Sequence, residues 1–225
     1  MKLTKEQIQL INQKLISKGV VYEDVKLELL DHIALDIEII MVDKEVSFET
    51  AFKDVFRKWK SQLKPFKSWF LEYDKIPRIA TNKMINQVKF WFIVFPTVIA
   101  AIITFFVSKI INVFEIEAFM NSINSIYKTS FIVIFFLSIL SKILIKIDKI
   151  NTTYKSFSNQ TSRFSICFTG TFLYLSWSKP FLYFDANLYP NLIMISLITF
   201  VIIVSVVSFI YLHKHFEFER KLFKV

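Results

Sequence analysis

Two long stretches without a charged residue constrain this fold most strongly. Phe90–Ser108 and Leu188–Leu212 contain no Asp, Glu, Lys or Arg. At about 1.5 Å per residue, each is long enough as a helix to cross a hydrocarbon core of about 30 Å. Both stretches are therefore predicted to span a membrane.

Two weaker apolar segments lie between them. Residues 129–147 carry Lys142 and Lys146 near the end, and residues 164–184 carry Lys179 near the end. A lysine close to a helix end can extend its ammonium group to the lipid headgroups, so both segments remain candidates. The sequence predicts four transmembrane helices, at about residues 88–111, 129–147, 164–184 and 190–212.

The orientation follows from the distribution of lysine and arginine in the short connecting segments. Basic residues concentrate before the first span, between the second and third spans, and in the tail at 213–225. Because such residues resist translocation, both termini are predicted to face the cytoplasm. Richness in Ile, Lys, Asn and Phe is typical of proteins from AT-rich bacterial genomes. We therefore expect a multi-pass protein of the bacterial inner membrane.

The net charge of +9 belongs to the membrane part of the chain. The first 64 residues contain equal numbers of basic and acidic residues, so the excess lies beyond them. Nucleic-acid binding requires a basic stripe on the soluble domain, and this balance does not supply one. Membrane lipids are expected partners, and nucleic acid is not.

Residues 1–64 are predicted to form a small domain of three helices. Thr4 and Gln7 have the spacing of a capping box, and Gly19 is placed to end the first helix. Apolar residues then recur at three- and four-residue steps from Tyr22 to Met41. Ser47 is a predicted N-cap for a third helix, whose apolar spacing includes Trp59 and which Pro65 interrupts. A core of this size is marginal alone, so further burial against membrane or partner is expected.

A linker at residues 65–86 is predicted to contain an amphipathic helix at the membrane surface. Its aromatic residues recur at helical spacing and are flanked by lysine and arginine, which suits the headgroup layer. The alternative is a fourth helix of the soluble core. The predicted membrane-interface residues are Phe66, Trp69, Phe70 and Tyr73.

The second helix carries the most polar pattern in the chain. Glu28, His32 and Asp36 are four residues apart, so they project from one helix face. A metal site is disfavoured, because three ligands on one helix form a line and no other histidine or cysteine lies in this domain. The stripe is instead predicted to face solvent or a partner. The predicted partner-binding residues are Glu28, Asp31, His32 and Asp36.

No catalytic or cofactor site is predicted. The two glycines, Gly19 and Gly170, cannot build a phosphate-binding loop, and no nucleophile or dinucleotide motif is present. The acids of the membrane part fall at or beyond span ends, which disfavours an ion-coupled transporter. Small residues inside the spans are predicted to pack helices together. These residues are Ser138, Ser141, Gly170, Ser205 and Ser208.

The sequence of helices two and three resembles the HAAS-type cytoplasmic domain of bacterial membrane proteins. The matching residues are Asp31 and His32, followed by Ser47, Glu49 and Ala51. The likeness covers roughly residues 5–60 and is that of a divergent relative. It implies a regulatory or signalling accessory role without catalytic residues.

The sequence thus predicts an all-α protein with a three-helix cytoplasmic domain, an interfacial helix and a four-helix transmembrane bundle. We expect a non-catalytic regulatory or accessory subunit that binds a protein partner in the cytoplasm or the membrane. A structural subunit of a larger assembly such as a translocase, or a small transporter or pore, is the alternative. Assembly as a homo-oligomer is also left open.

Overall fold

The protein is mostly helical and divides into two compact units. The computed structural model describes residues 2–66, 76–111, 116–175 and 188–223. One unit is Met1–Asn86 together with Ile150–Thr153, and the other is Gln87–Lys149 together with Tyr154–Val225. The expectation of an all-α chain is confirmed in this coarse form.

The helices of the first unit are α1, α2, α3 and the start of α4, joined by short turns. A 3₁₀ turn follows α3, and a pair of two-residue antiparallel strands precedes α4. Their bounds are α1 Lys5–Ser17, α2 Glu23–Asp43, α3 Phe48–Lys58, the 3₁₀ turn Trp59–Ser61, β1 Pro65–Phe66, β2 Ile76–Pro77 and α4 Arg78–Val88.

The ends of α1 follow local chemistry. The Thr4 hydroxyl accepts a hydrogen bond from the Gln7 amide and the Gln7 side chain accepts one from the Thr4 amide, which confirms the predicted capping box. At the other end Gly19 has a φ of 81°, a left-handed conformation that glycine adopts without a Cβ clash. The amides of Gly19 and Val20 bond to the carbonyls of Ile16 and Leu15, which forms a Schellman motif.

The following two helices lack the side-chain and glycine caps that α1 has. Ser47 is the N-cap of α3, but its hydroxyl lies 3.2 Å from the Thr50 hydroxyl and makes no capping bond to the backbone. Glu45 has a φ of 51° just after α2, where helices commonly place a glycine. Trp59 begins the 3₁₀ turn instead of extending α3.

The core of the first unit is built from the apolar faces of its helices. The periodic residues of α2 supply most of it, and α1 and α3 each contribute two side chains that are buried. Burial of such side chains is the main favourable term in folding. The buried core residues of α1 to α3 are Ile11, Leu15, Val25, Leu29, Ile33, Ile37, Met41, Ala51 and Val55.

The N-terminus of α2 is completed by a segment far along the chain. The Glu23 amide donates to the carbonyl of Asn151 at 2.8 Å. In return the Thr153 amide, the first of helix α7, donates to Asp24 Oδ1 at 2.9 Å, and the Thr153 hydroxyl donates to Asp24 Oδ2. Each helix start therefore satisfies an amide that the other leaves without an intrahelical partner.

The second unit consists of long apolar helices. After α4 the chain winds as a π-helix over Lys89–Val94, a segment in which Phe92 is buried against Phe157 and Tyr211. The remaining helices are α5 Phe95–Ile111, α6 Ile116–Ile147, α7 Thr153–Leu175 and α8 Leu188–Leu222.

Three helical stretches are long and apolar enough to cross a membrane: Arg78–Lys109, Asn121–Ile147 and Leu192–Leu222. They contain the described parts of the predicted first, second and fourth spans. The predicted third span begins within α7, but residues 176–187 lie outside the described residues. Its status as a span stays a prediction.

Candidate functional site

One groove in the first unit is lined by three of the four residues predicted to bind a partner. It has a volume of about 390 Å³ and lies between α2, the end of α3 and α4. We refer to it as the α2–α4 groove. Its polar lining residues are Glu28, His32, Asp36, Lys58, Trp59 and Lys83.

Ion pairs fix both acids of this groove. Glu28 of α2 pairs with Lys83 of α4. Asp36, two helical turns further along α2, accepts hydrogen bonds from Lys58 Nζ at 3.0 Å and from Trp59 Nε1 at 2.9 Å. The fork formed by Lys58 and Trp59 therefore holds the end of α3 against α2.

The Asp36 carboxyl group is tuned by these contacts. Partial burial raises the pKa of Asp36. The hydrogen bonds from Trp59 and Lys58, together with the charge of Lys58, lower the pKa by more than burial raises it. The net pKa therefore lies below the ordinary value of 3.8. Asp36 is an anion at neutral pH and presents a fixed negative charge within the groove.

His32 lies between the two acids and is exposed. Leu35, of which 55% is exposed, and the half-buried Ile79 add apolar surface beside it. Such a combination of fixed charges and open apolar surface suits the recognition of a protein segment. Asp31 is exposed but does not line the groove.

The positions of Glu28 and Asp36 on α2 disfavour a metal site that uses both carboxylates. Glu28 and Asp36 are eight residues apart, which is about 12 Å along a helix. Each is already engaged by a lysine on another element. A single cation therefore cannot collect both carboxylates without breaking these pairs.

A second groove of similar volume lies between α1 and α3. Its floor includes Leu10, Phe48 and Phe52, and Lys14 and Lys53 lie at its sides. Phe48 and Phe52 are in ring contact, with centroids 5.5 Å apart. This surface is more apolar than the α2–α4 groove and contains none of the predicted partner-binding residues.

The predicted membrane-interface residues are mostly outside the described ranges. Phe66 is exposed and lies in β1, not in a helix, because its backbone pairs with that of Ile76. Trp69, Phe70 and Tyr73 lie outside the described residues. The structure thus places strand at both edges of the segment for which a helix was predicted, and leaves the helix itself a prediction.

The residues predicted to pack membrane helices lie at helix contacts of the second unit. Ser138, Ser141, Ser205 and Ser208 are all buried. A Cβ atom added at Gly170 would meet the ring of Phe135 at 3.3 Å, so this position allows a close approach. The hydroxyl pairs between helices are Ser141 with Ser162 at 3.1 Å, Ser165 with Ser205 at 2.7 Å, and Thr161 with Ser208 at 2.6 Å.

Sequence reasoning did not find a buried ionic cluster in the second unit. Asp148 follows α6, Lys155 lies in the first turn of α7, and His215 lies near the end of α8. His215 Nε2 is 2.5 Å from Asp148 Oδ2, and Lys155 Nζ donates to the Asp148 backbone carbonyl at 2.8 Å and to Oδ2 at 3.3 Å. His215 is fully buried, although the sequence assigned it to a solvated tail.

One signal for this cluster was present in the sequence. His215 and Glu219 are four residues apart and therefore share a helix face. Extending the last span as a helix through these residues would have placed both beside the ends of neighbouring spans. The involvement of Asp148 and Lys155 required the packing itself.

Comparisons with known proteins do not add to this picture. No family model, no curated protein and no solved structure matches the chain. The resemblance to the HAAS-type domain therefore stays a prediction, and function must be argued from the residues.

Proposed function

We propose that this chain is a non-catalytic membrane protein whose N-terminal helical unit binds a protein partner through the α2–α4 groove. The observation that carries the proposal is the groove itself. It places two fixed acids, an exposed histidine and an exposed leucine on one accessible surface. The role is that of a regulatory or accessory subunit.

The charges in this groove favour recognition over stability. Glu28 and Lys58 are largely exposed, and ion pairs of this kind contribute only about 0–1 kcal/mol each. Charged groups at an interface act mainly on specificity and on the rate of association. A partner that presents complementary charges beside an apolar side chain would match this surface.

The proposed setting is a bacterial inner membrane with both termini in the cytoplasm. Three candidate spans and the distribution of lysine and arginine support it, and residues 164–184 are proposed as a further span, the third in chain order. Exposed Phe105 and Phe106 on α5 suit contact with lipid. Fusing a reporter that is active only in the cytoplasm to the C-terminus tests this orientation, and an inactive reporter would contradict it.

The absence of catalysis is proposed on sequence grounds, namely the two glycines and the lack of a nucleophile or phosphate-binding motif.

Transport is the less favoured alternative. The buried hydroxyls that could line a pore, such as Ser165 and Ser205, are paired with one another across helix contacts. This arrangement favours packing.

Charge reversal tests the groove. A photo-crosslinking residue in place of His32, in the full chain in native membranes, reports the partner at the groove. Glu28→Lys is expected to reduce the crosslinked product at least tenfold, and so is Lys83→Glu. The double variant restores an ion pair with reversed polarity, so it separates loss of recognition from loss of fold.

Three outcomes are possible, and they distinguish recognition of charge, a purely structural ion pair, and a partner site elsewhere. Failure of the double variant to recover the product, together with full crosslinking by Asp31→Asn, supports recognition of charge within the groove. Full recovery by the double variant would mean that the pair serves only to hold α4 on α2. Equal crosslinking by all four variants would contradict the proposed site.

A further inference from the structure

The ionic cluster of the second unit contains a third potential ligand. Glu219 lies one helical turn beyond His215 on α8 and is half-buried. One ligand atom each from Asp148, His215 and Glu219 lies within 4.8 Å of the others. Within the part of the chain that the structure describes, no other group of three histidine, cysteine or acidic residues meets this distance.

The spacing of these atoms suits a single ion. A metal with bonds of about 2.0–2.2 Å in a tetrahedral arrangement separates its ligand atoms by about 3.3–3.6 Å. His215 Nε2 and Asp148 Oδ2 are 2.5 Å apart and would have to move apart to reach that separation, and every pair of ligand atoms lies within 4.8 Å. The fourth position is left for water.

We infer that Asp148, His215 and Glu219 bind a first-row divalent transition ion such as Zn²⁺. The site is independent of the proposed function, because it lies in the other unit and shares no residue with the α2–α4 groove. It joins the end of α6 to α8, and its role is to hold these helix ends together.

Burial and charge support this inference. His215 is fully buried and only 7% of the Asp148 side chain is exposed. The cluster brings two acidic side chains together with one lysine, Lys155. A divalent ion compensates acidic groups that are withdrawn from water.

Lys155 acts as a positioning residue in this arrangement. It donates to both the backbone carbonyl and Oδ2 of Asp148, which fixes the carboxylate. Metal-binding carboxylates are commonly held in this way by an outer hydrogen bond.

The donor set selects the class of ion. Imidazole nitrogen combined with two carboxylates suits Zn²⁺ or Mn²⁺, whereas Ca²⁺ prefers six to eight oxygen ligands and Mg²⁺ keeps several waters.

Zinc binding by the purified full chain tests the inference. The protein is isolated in mild detergent through a tag without histidine, stripped with chelator and then titrated with Zn²⁺, with Mg²⁺ as the comparison. We expect one equivalent of zinc after desalting. At a hundredfold excess over Kd, the melting temperature should rise by about 5 °C or more.

Matched variants on α8 make the test specific. His215→Gln and Glu219→Gln should lose the zinc equivalent and the thermal shift. His213→Gln alters an exposed residue and Glu217→Gln alters a half-buried residue that pairs with Lys221, each two positions before a proposed ligand, and both variants should keep the zinc equivalent and the thermal shift. If His215→Gln does not fold, Glu219→Gln carries the test, because a half-buried amide preserves the shape of the side chain.

The inference is overturned if the wild-type chain retains no more zinc than Glu219→Gln. The cluster would then be an ionic network closed by its own hydrogen bonds. Equal loss of zinc in the two control variants would likewise overturn it, since binding would be a property of the exposed tail.

Discussion

The side chains that bridge helices in the first unit are charged and lie near the surface, whereas many of those in the second unit are hydroxyls buried between helices. Asp36 with Lys58 represents the first kind, and Ser165 with Ser205 represents the second. In water, apolar burial supplies most of the stability and charges set specificity. Between helices in lipid, apolar contact gains little over lipid contact, so close packing of small polar residues matters more.

The largest effect should come from the apolar core of the first unit. Leu29→Ala removes a side chain that is 2% exposed and should destabilise this unit by about 2–5 kcal/mol. Amide hydrogen exchange of the full chain measures this as lost protection of α1 to α3. Leu35→Ala, on the exposed side of the same helix, should change stability by less than about 0.5 kcal/mol. Similar losses in both variants would refute the assigned core.

The second unit should respond to added volume more than to a lost hydroxyl. Ser205→Leu forces a larger side chain into a fully buried contact with Ser165 and should cost about 1–3 kcal/mol. Ser205→Ala removes the bonds of this hydroxyl to Ser165 and to the Val201 carbonyl, and loss of the interhelical bond should cost about 0.6 kcal/mol. Thermal unfolding in detergent measures both. A larger loss for alanine than for leucine would show that hydrogen bonding, not packing, dominates here.

Substitutions at two residues with positive φ should change the stability of the first unit in opposite directions. Gly19→Ala places a Cβ in a left-handed conformation and should destabilise the first unit by about 1 kcal/mol. Glu45→Gly relieves the same conflict after α2 and should be stabilising by a smaller amount, because glycine also adds freedom to the unfolded chain. Hydrogen exchange of α1 and α2 detects both shifts. A loss on Glu45→Gly would show that the glutamate side chain contributes an interaction of its own.

The smallest effect should be electrostatic. Because the pKa of Asp36 in the folded chain lies below 3.8, this residue stabilises the first unit above that pH. The contribution should be below about 1 kcal/mol and should disappear as the pH falls through the lowered pKa. Asp36→Asn should flatten this part of the pH profile of thermal unfolding. Identical profiles for wild type and Asp36→Asn would show that Asp36 makes no pH-dependent contribution to the stability of the first unit.

The sequence predicts the elements that depend on local pattern. The capping box at Thr4, the stop at Gly19 and the apolar face of α2 all follow from residues close together in the chain. The first and last candidate spans follow from long runs without charge, and the one at Asn121–Ile147 follows from an apolar segment with lysines near its end. These features need no knowledge of which helices touch.

The features that pattern could not predict depend on pairing. The ion pair between Glu28 and Lys83 could not be predicted, because the two residues are 55 positions apart in the sequence. The N-cap position of Ser47 was predictable, but its bond to Thr50 was not, since a serine hydroxyl has several partners within reach. His215 was missed because its partner, Asp148, lies 67 residues away in the sequence.

The exchange of amide partners at the start of α2 has a consequence for biosynthesis. Asp24 and Glu23 leave the ribosome early, but Asn151 and Thr153 follow more than a hundred residues later. Nascent chains that end before Asn151 thus carry a helix start whose buried acid still lacks its partners. Protease resistance of α2 in ribosome-bound chains should therefore increase once translation has passed Thr153, well after the three N-terminal helices have emerged.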